Sequence, residues 1–66
     1  MTDIASYLAE IDAFKTRTGL SDAAIGRAAT KDPNYVYRLR AGAQTFPKTM
    51  EKVRTWMNDY EEGMKS

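Results

Sequence analysis

Between Lys31 and Lys48 the chain reads KDPNYVYRLRAGAQTFPK, and the first half of that stretch gathers an amide, a phenol and two guanidinium groups on one short helix. With Val36 and Leu39 as its buried edge, steps of about 100° per residue put Asn34 and Ala41 nearly opposite, flanked by Tyr37 and Arg38. These groups suit flat, hydrogen-bonding or anionic partners. A carboxamide can pair bidentately with the edge of adenine and a guanidinium with guanine, while a phenol meets a thymine methyl or a phosphate. Ala41 would let such a helix lie low against its partner. Asp32 is better suited to capping the helix than to reading a base.

Other chemistries lack their parts. There is no cysteine, hence no disulfide framework and no thiolate, and no histidine, the commonest metal ligand and general base. No glycine-rich phosphate loop is present, nor a pair of carboxylates framed by a pocket, and Glu61 and Glu62 fall where the expected tail begins. The expectation is a non-enzyme with neither metal nor cofactor. Apolar stretches are short and interrupted by charge, so neither a signal peptide nor a membrane span is expected, and the default compartment is the cytoplasm.

The net charge of +1 conceals a division: residues 1–26 carry −2, residues 27–57 carry +5 and residues 58–66 carry −2. A basic block centred on the quoted stretch is the electrostatic footprint of a polyanion partner, although small helical proteins also acquire such blocks by chance.

Helical periodicity runs through the chain, and strand alternation is absent. Ile4, Leu8, Ile11 and Phe14, with Tyr7 beside them, predict an amphipathic helix over 3–17, capped by Thr2, favoured by Asp3 at its positive end and stopped by Gly19. Ser21 opens a second helix to about Ala29, with Leu20 and Ile25 spaced as a hydrophobic staple. Gly26 within it costs about 1 kcal/mol relative to alanine, and close approach of another helix is the best reason for it. The third helix is predicted from Pro33 to about Ala41, with Asp32 as cap and Gly42 as terminator. A fourth takes up Met50, Val53, Trp56, Met57 and Tyr60, with Thr49 as its cap. The resulting organisation is one all-α domain over residues 1–61, with 62–66 as a frayed tail.

A helix of small residues, a turn, and a short helix with inward Val36 and Leu39 form the layout of a helix-turn-helix over about 21–41. Residues 21–42, SDAAIGRAATKDPNYVYRLRAG, resemble that motif in the lambda-repressor and Cro superfamily. The "DPN" start and "R-x-G" exit are especially similar to small phage and bacterial regulators. With the flanking helices the resemblance spans nearly the whole chain and implies a four- to five-helix lambda-repressor-like fold. One departure concerns the turn, which in such motifs usually holds glycine and here reads TKD. Thr30 is β-branched and poor in a left-handed conformation, so either Lys31 takes it or the turn shifts by one residue.

The resemblance implies a sequence-specific regulator of phage-repressor type that reads double-stranded DNA from the major groove. Base contacts fall to Pro33, Asn34, Tyr37 and Arg38, and phosphate contacts to Lys31, Arg40, Thr45 and Lys48. Each phosphate role has a plain alternative: Arg40 can pair with an acid of the first helix, and Lys48 can be a solvated loop lysine. Tyr35, nearer the buried edge, is read first as packing. Relatives bind palindromic operators as homodimers, and Trp56, Met57 and Tyr60 are the candidate dimer contact. The competing reading is a helical protein-interaction module, an antirepressor or adaptor, on the same fold.

Overall fold

The computed structural model describes residues 4–65, which form four helices: α1 (Ile4–Thr18), α2 (Asp22–Thr30), α3 (Tyr35–Arg40) and α4 (Pro47–Lys65). No strand occurs among the described residues, and no helix among them is long and apolar enough to cross a membrane. The expected cap Thr2 and the charge of Asp3 lie outside the described residues.

α1 buries Tyr7, Ile11 and Phe14 completely, whereas Ile4 and Leu8 only border the core. The buried stripe is thus rotated from the one that the Ile4–Leu8 spacing points to. Gly19 closes the helix in the left-handed region (φ 76°), its N–H donating to the Lys15 carbonyl at 2.7 Å. Ser21 caps α2, its hydroxyl accepting from the Ala24 N–H at 3.1 Å. Leu20 packs against the core that holds Ile25.

The turn after α2 carries Lys31 at φ 64°, the left-handed position expected of it or of a shifted neighbour. The N–H of Lys31 donates to the Arg27 carbonyl and that of Asp32 to the Gly26 carbonyl. α3 then begins at Tyr35, two residues later than predicted. The Asp32 carboxylate accepts from the Asn34 N–H at 3.0 Å and the Asp32 carbonyl from the Tyr35 N–H at 3.1 Å, so Asp-Pro-Asn forms a turn ahead of the helix. Pro33 and Asn34 belong to that turn. Gly42 (φ 100°) ends α3, with its N–H on the Leu39 carbonyl and the Ala43 N–H on the Arg38 carbonyl.

α4 starts two residues before Thr49, with Pro47 at its first position, where a missing N–H costs nothing. It continues as helix to Lys65, so the expected fraying of 62–66 is not what residues 62–65 show; Ser66 lies outside the described residues. Met50, Val53 and Met57 enter the core with Ile25, Ala29, Tyr35, Val36 and Leu39.

Candidate functional site

The short length of α3 makes its surroundings decisive. Val36 is fully buried and Leu39 nearly so, which fixes the helix's rotation. Asn34, Tyr37, Arg38 and Ala41 are all exposed. Tyr37 is half exposed (51 %) although large and partly apolar. Pro33 is half-buried at the approach to the helix. Arg38 forms an ion pair with Asp32, the residue whose other carboxylate oxygen holds the Asn34 N–H. One carboxylate therefore holds the Arg38 side chain and the backbone of Asn34.

Tyr35 is buried, in keeping with packing as its first role. Its hydroxyl lies 3.0 Å from the Tyr7 hydroxyl and 2.7 Å from that of Thr45. Thr45, half-buried in the loop before α4, is thereby tied to α1 through α3. Lys31 and Lys48 are exposed and form no ion pair among the described residues. The same holds for Arg27 and Lys52 of the basic block. Lys48 and Lys52 stand four residues apart on α4, on one face of the helix.

Arg40 has the alternative role. Its Nε donates to Asp22 at 3.0 Å, and one terminal nitrogen donates to Asp12 at 2.6 Å and to Asp22 at 3.2 Å. Hydrogen bonds to Asp22 and then Asp12 push its ionisation higher still, so the charge is already engaged at the junction of α1, α2 and α3. Asp22 is the hub, nearly buried and also paired with Lys15 at 2.8 Å. Sequence reasoning missed it, because an aspartate in the first turn of a helix is ordinarily read as a dipole partner. Two further bidentate pairs, Arg54–Glu10 and Arg17–Glu61, join α1 to α4. The division of charge along the chain is thus partly the two halves of interhelix ion pairs. What remains unpaired of the basic block among the described residues is Arg27, Lys31, Lys48 and Lys52, with Glu51 beside them.

Hydrogen bonding to Arg40, with a smaller part from Lys15, holds the Asp22 carboxyl below its ordinary value against the opposing effect of burial. A carboxyl depressed by folding contributes stability that is full above its unfolded pKa of about 3.9 and is lost as pH falls through the lower folded value. Asp22→Asn is expected to cost about 1 kcal/mol at neutral pH and to shrink the loss of stability in acid. Urea denaturation of both proteins at neutral and acid pH checks this, and curves that stay parallel into acid would count against it.

The proposed dimer residues divide. Met57 is buried within its own chain (6 % exposed) and is unavailable to a partner. Trp56 and Tyr60 lie on Phe14, with edge contacts at 5.6 and 5.7 Å between ring centroids, and Tyr60 stays partly exposed. Met64, one helical turn beyond Tyr60, is 57 % exposed. A groove of about 290 Å³ between α1 and α4 is floored by Phe14 and Met57 and rimmed by the Arg54–Glu10 and Arg17–Glu61 pairs. Those rim charges are already satisfied by one another, and no nucleophile and base meet there.

The chain matches no family model, no curated protein and no solved structure.

Proposed function

We propose that the chain is a sequence-specific double-stranded-DNA-binding regulator, a repressor of the phage type, built as a lambda-repressor-like helix-turn-helix with α3 as recognition helix. It acts by binding and not by catalysis, in the cytoplasm. The observation that carries the reading is the outward set of Asn34, in the turn just ahead of α3, with Tyr37 and Arg38 on the helix, all exposed while Val36 and Leu39 are buried. An amide, a phenol and a guanidinium presented together are what base edges in a major groove require. The left-handed Lys31 supports it too, since a tight turn between α2 and α3 is obtained without glycine.

Lys31 and Lys48, exposed and free of ion pairs among the described residues, are the proposed phosphate grips, with Arg27 and Lys52 as additional candidates. Arg40 is withdrawn from that role. One short helix reads only a few base pairs, so two copies are proposed to sit roughly 34 Å apart on a palindromic site. The second copy would meet the exposed edge of α4 at Tyr60 and Met64, with Trp56 at its margin. The protein-interaction reading draws on one observation, the exposure of two large rings, Phe46 (71 %) and Tyr37.

A salt titration on duplexes selected from a random pool separates the two. Neutralising phosphates releases counterions, so affinity should fall steeply with salt, and Lys48→Ala should weaken all duplexes alike while lowering the log–log slope by about one. Affinity that barely changes with salt would exclude DNA as the partner.

A further inference from the structure

We infer that the Thr45 hydroxyl is a donor whose proton is directed outward by two buried tyrosines, so that Tyr7 and Tyr35 are positioning residues for a contact to a phosphodiester oxygen. The inference rests on the DNA-binding reading and adds the direction in which one chain of hydrogen bonds must run.

Tyr7 Oη lies 3.0 Å from Tyr35 Oη, which lies 2.7 Å from Thr45 Oγ1. Distance leaves the donors open, but proton counting does not. Each hydroxyl owns one proton. Tyr7 is fully buried, and its hydroxyl has Tyr35 as its one hydrogen-bond partner among the described residues. If Thr45 donated to Tyr35 and Tyr35 to Tyr7, the Tyr7 proton would face the core with no acceptor, which carries the full desolvation penalty of a buried donor. If Tyr35 accepted from both neighbours, its own buried proton would be stranded instead. Only the order Tyr7 to Tyr35 to Thr45 uses both buried protons. Burial also pushes the Tyr7 phenol well above its ordinary ionisation range, so the chain begins from an intact O–H.

Thr45, half-buried at the other end, accepts inward and keeps its own proton for the outside. Each bond in such a chain polarises the next and strengthens the terminal donor. The partner it selects is one that only accepts, as a phosphodiester oxygen does. Lys48, exposed in the first turn of α4, is placed to supply charge to the same anion.

Neutron diffraction from deuterated crystals reads the polarity without any ligand: the Tyr7 deuteron should point at Tyr35 and the Tyr35 deuteron at Thr45. A Thr45 deuteron aimed at Tyr35 overturns the inference. Binding to the selected duplex, unmodified or carrying single uncharged methylphosphonates, reads the contact. Thr45→Val should weaken binding about tenfold, with Thr45→Ser close to the parent. A methylphosphonate at the contacted phosphate should erase the difference between Thr45→Val and the parent. Tyr35→Phe should weaken binding but add nothing to Thr45→Val. Because Tyr35→Phe alone strands the Tyr7 proton, the Tyr7→Phe, Tyr35→Phe pair is run beside it and should show the same non-additivity. If the parent binds with steep salt dependence while Thr45→Val binds equally well, the inference falls and the DNA reading stands. If the parent binds no duplex, the reading itself falls and the phosphate assignment with it.

Discussion

Gly26→Ala should destabilise the domain by about 3 kcal/mol, against the usual sign of a glycine-to-alanine change inside a helix. Propensity alone would favour alanine by about 1 kcal/mol. A Cβ at Gly26, however, would sit far inside van der Waals contact with the Asp32 carbonyl oxygen, and 3.4 Å from Tyr35 Cβ. The obstacle is backbone, and it is pinned. The Asp32 N–H bonds to the Gly26 carbonyl at 3.2 Å and the Asp32 carbonyl accepts from Tyr35, while the Thr30 hydroxyl donates to the Gly26 carbonyl at 2.8 Å. Yielding means breaking the turn that seats α3. A domain of this size has roughly 3–10 kcal/mol of total stability, so the variant should be partly or wholly unfolded at ambient temperature. Gly63→Ala is the contrast: that helical position in α4 faces open space, and alanine there should stabilise by about 0.5–1 kcal/mol. Thermal melts of the two variants with opposite signs would establish close approach as the reason for Gly26. Equal stabilisation at both positions would refute it.

That pair also marks what the amino-acid sequence makes legible. A mid-helix glycine asks for a close neighbour, and the neighbour is the turn into α3, nearer even than the crossing helix that the sequence reading invoked. Local rules located four helices because periodicity, the Ser21 cap and the terminators Gly19 and Gly42 act within a few residues of themselves. The sequence left Lys31 or a turn shifted by one residue open, since β-branched Thr30 is a poor left-handed residue, and Lys31 takes the position. The start of α3 was misjudged because Asp32 caps a turn and the helix only follows it. The run of α4 beyond residue 61 had a signal that was passed over, the four-residue steps Trp56, Tyr60, Met64.

Side-chain partnerships between distant residues were out of reach. Asp22 with Arg40 and Lys15, and Tyr7 with Tyr35 and Thr45, join residues that share no period or motif; only the packed helices bring them together. The same packing explains why the basic block overstated the free charge, since two of its arginines, Arg40 and Arg54, answer acids elsewhere in the fold.

Arg38→Ala is expected to flatten sequence preference at one base pair per half-site, most simply a guanine, removing about 1–3 kcal/mol of discrimination there while leaving the fold intact. Arg38 is exposed, and its partner in the free protein is Asp32. An exposed pair of this kind contributes at most about 1 kcal/mol, so exchanging it for a bidentate contact to guanine is favourable. Asn34, exposed in the turn just before α3, lies about one helical turn from Arg38 and can reach a neighbouring base from the same groove. Asn34→Ala should therefore act at that neighbouring position, where adenine is the natural match. Val36→Ala is the control: its side chain is wholly buried, so the change should lower the melting temperature and weaken binding to all sequences alike. A matrix of each variant against single-base changes in the selected site makes the distinction. Loss confined to one column for Arg38→Ala identifies a base reader. Equal loss in every column would make Arg38 a phosphate grip and would mean that α3 meets DNA in a different rotation, with Tyr37 and the Lys31 side of the turn nearer the bases.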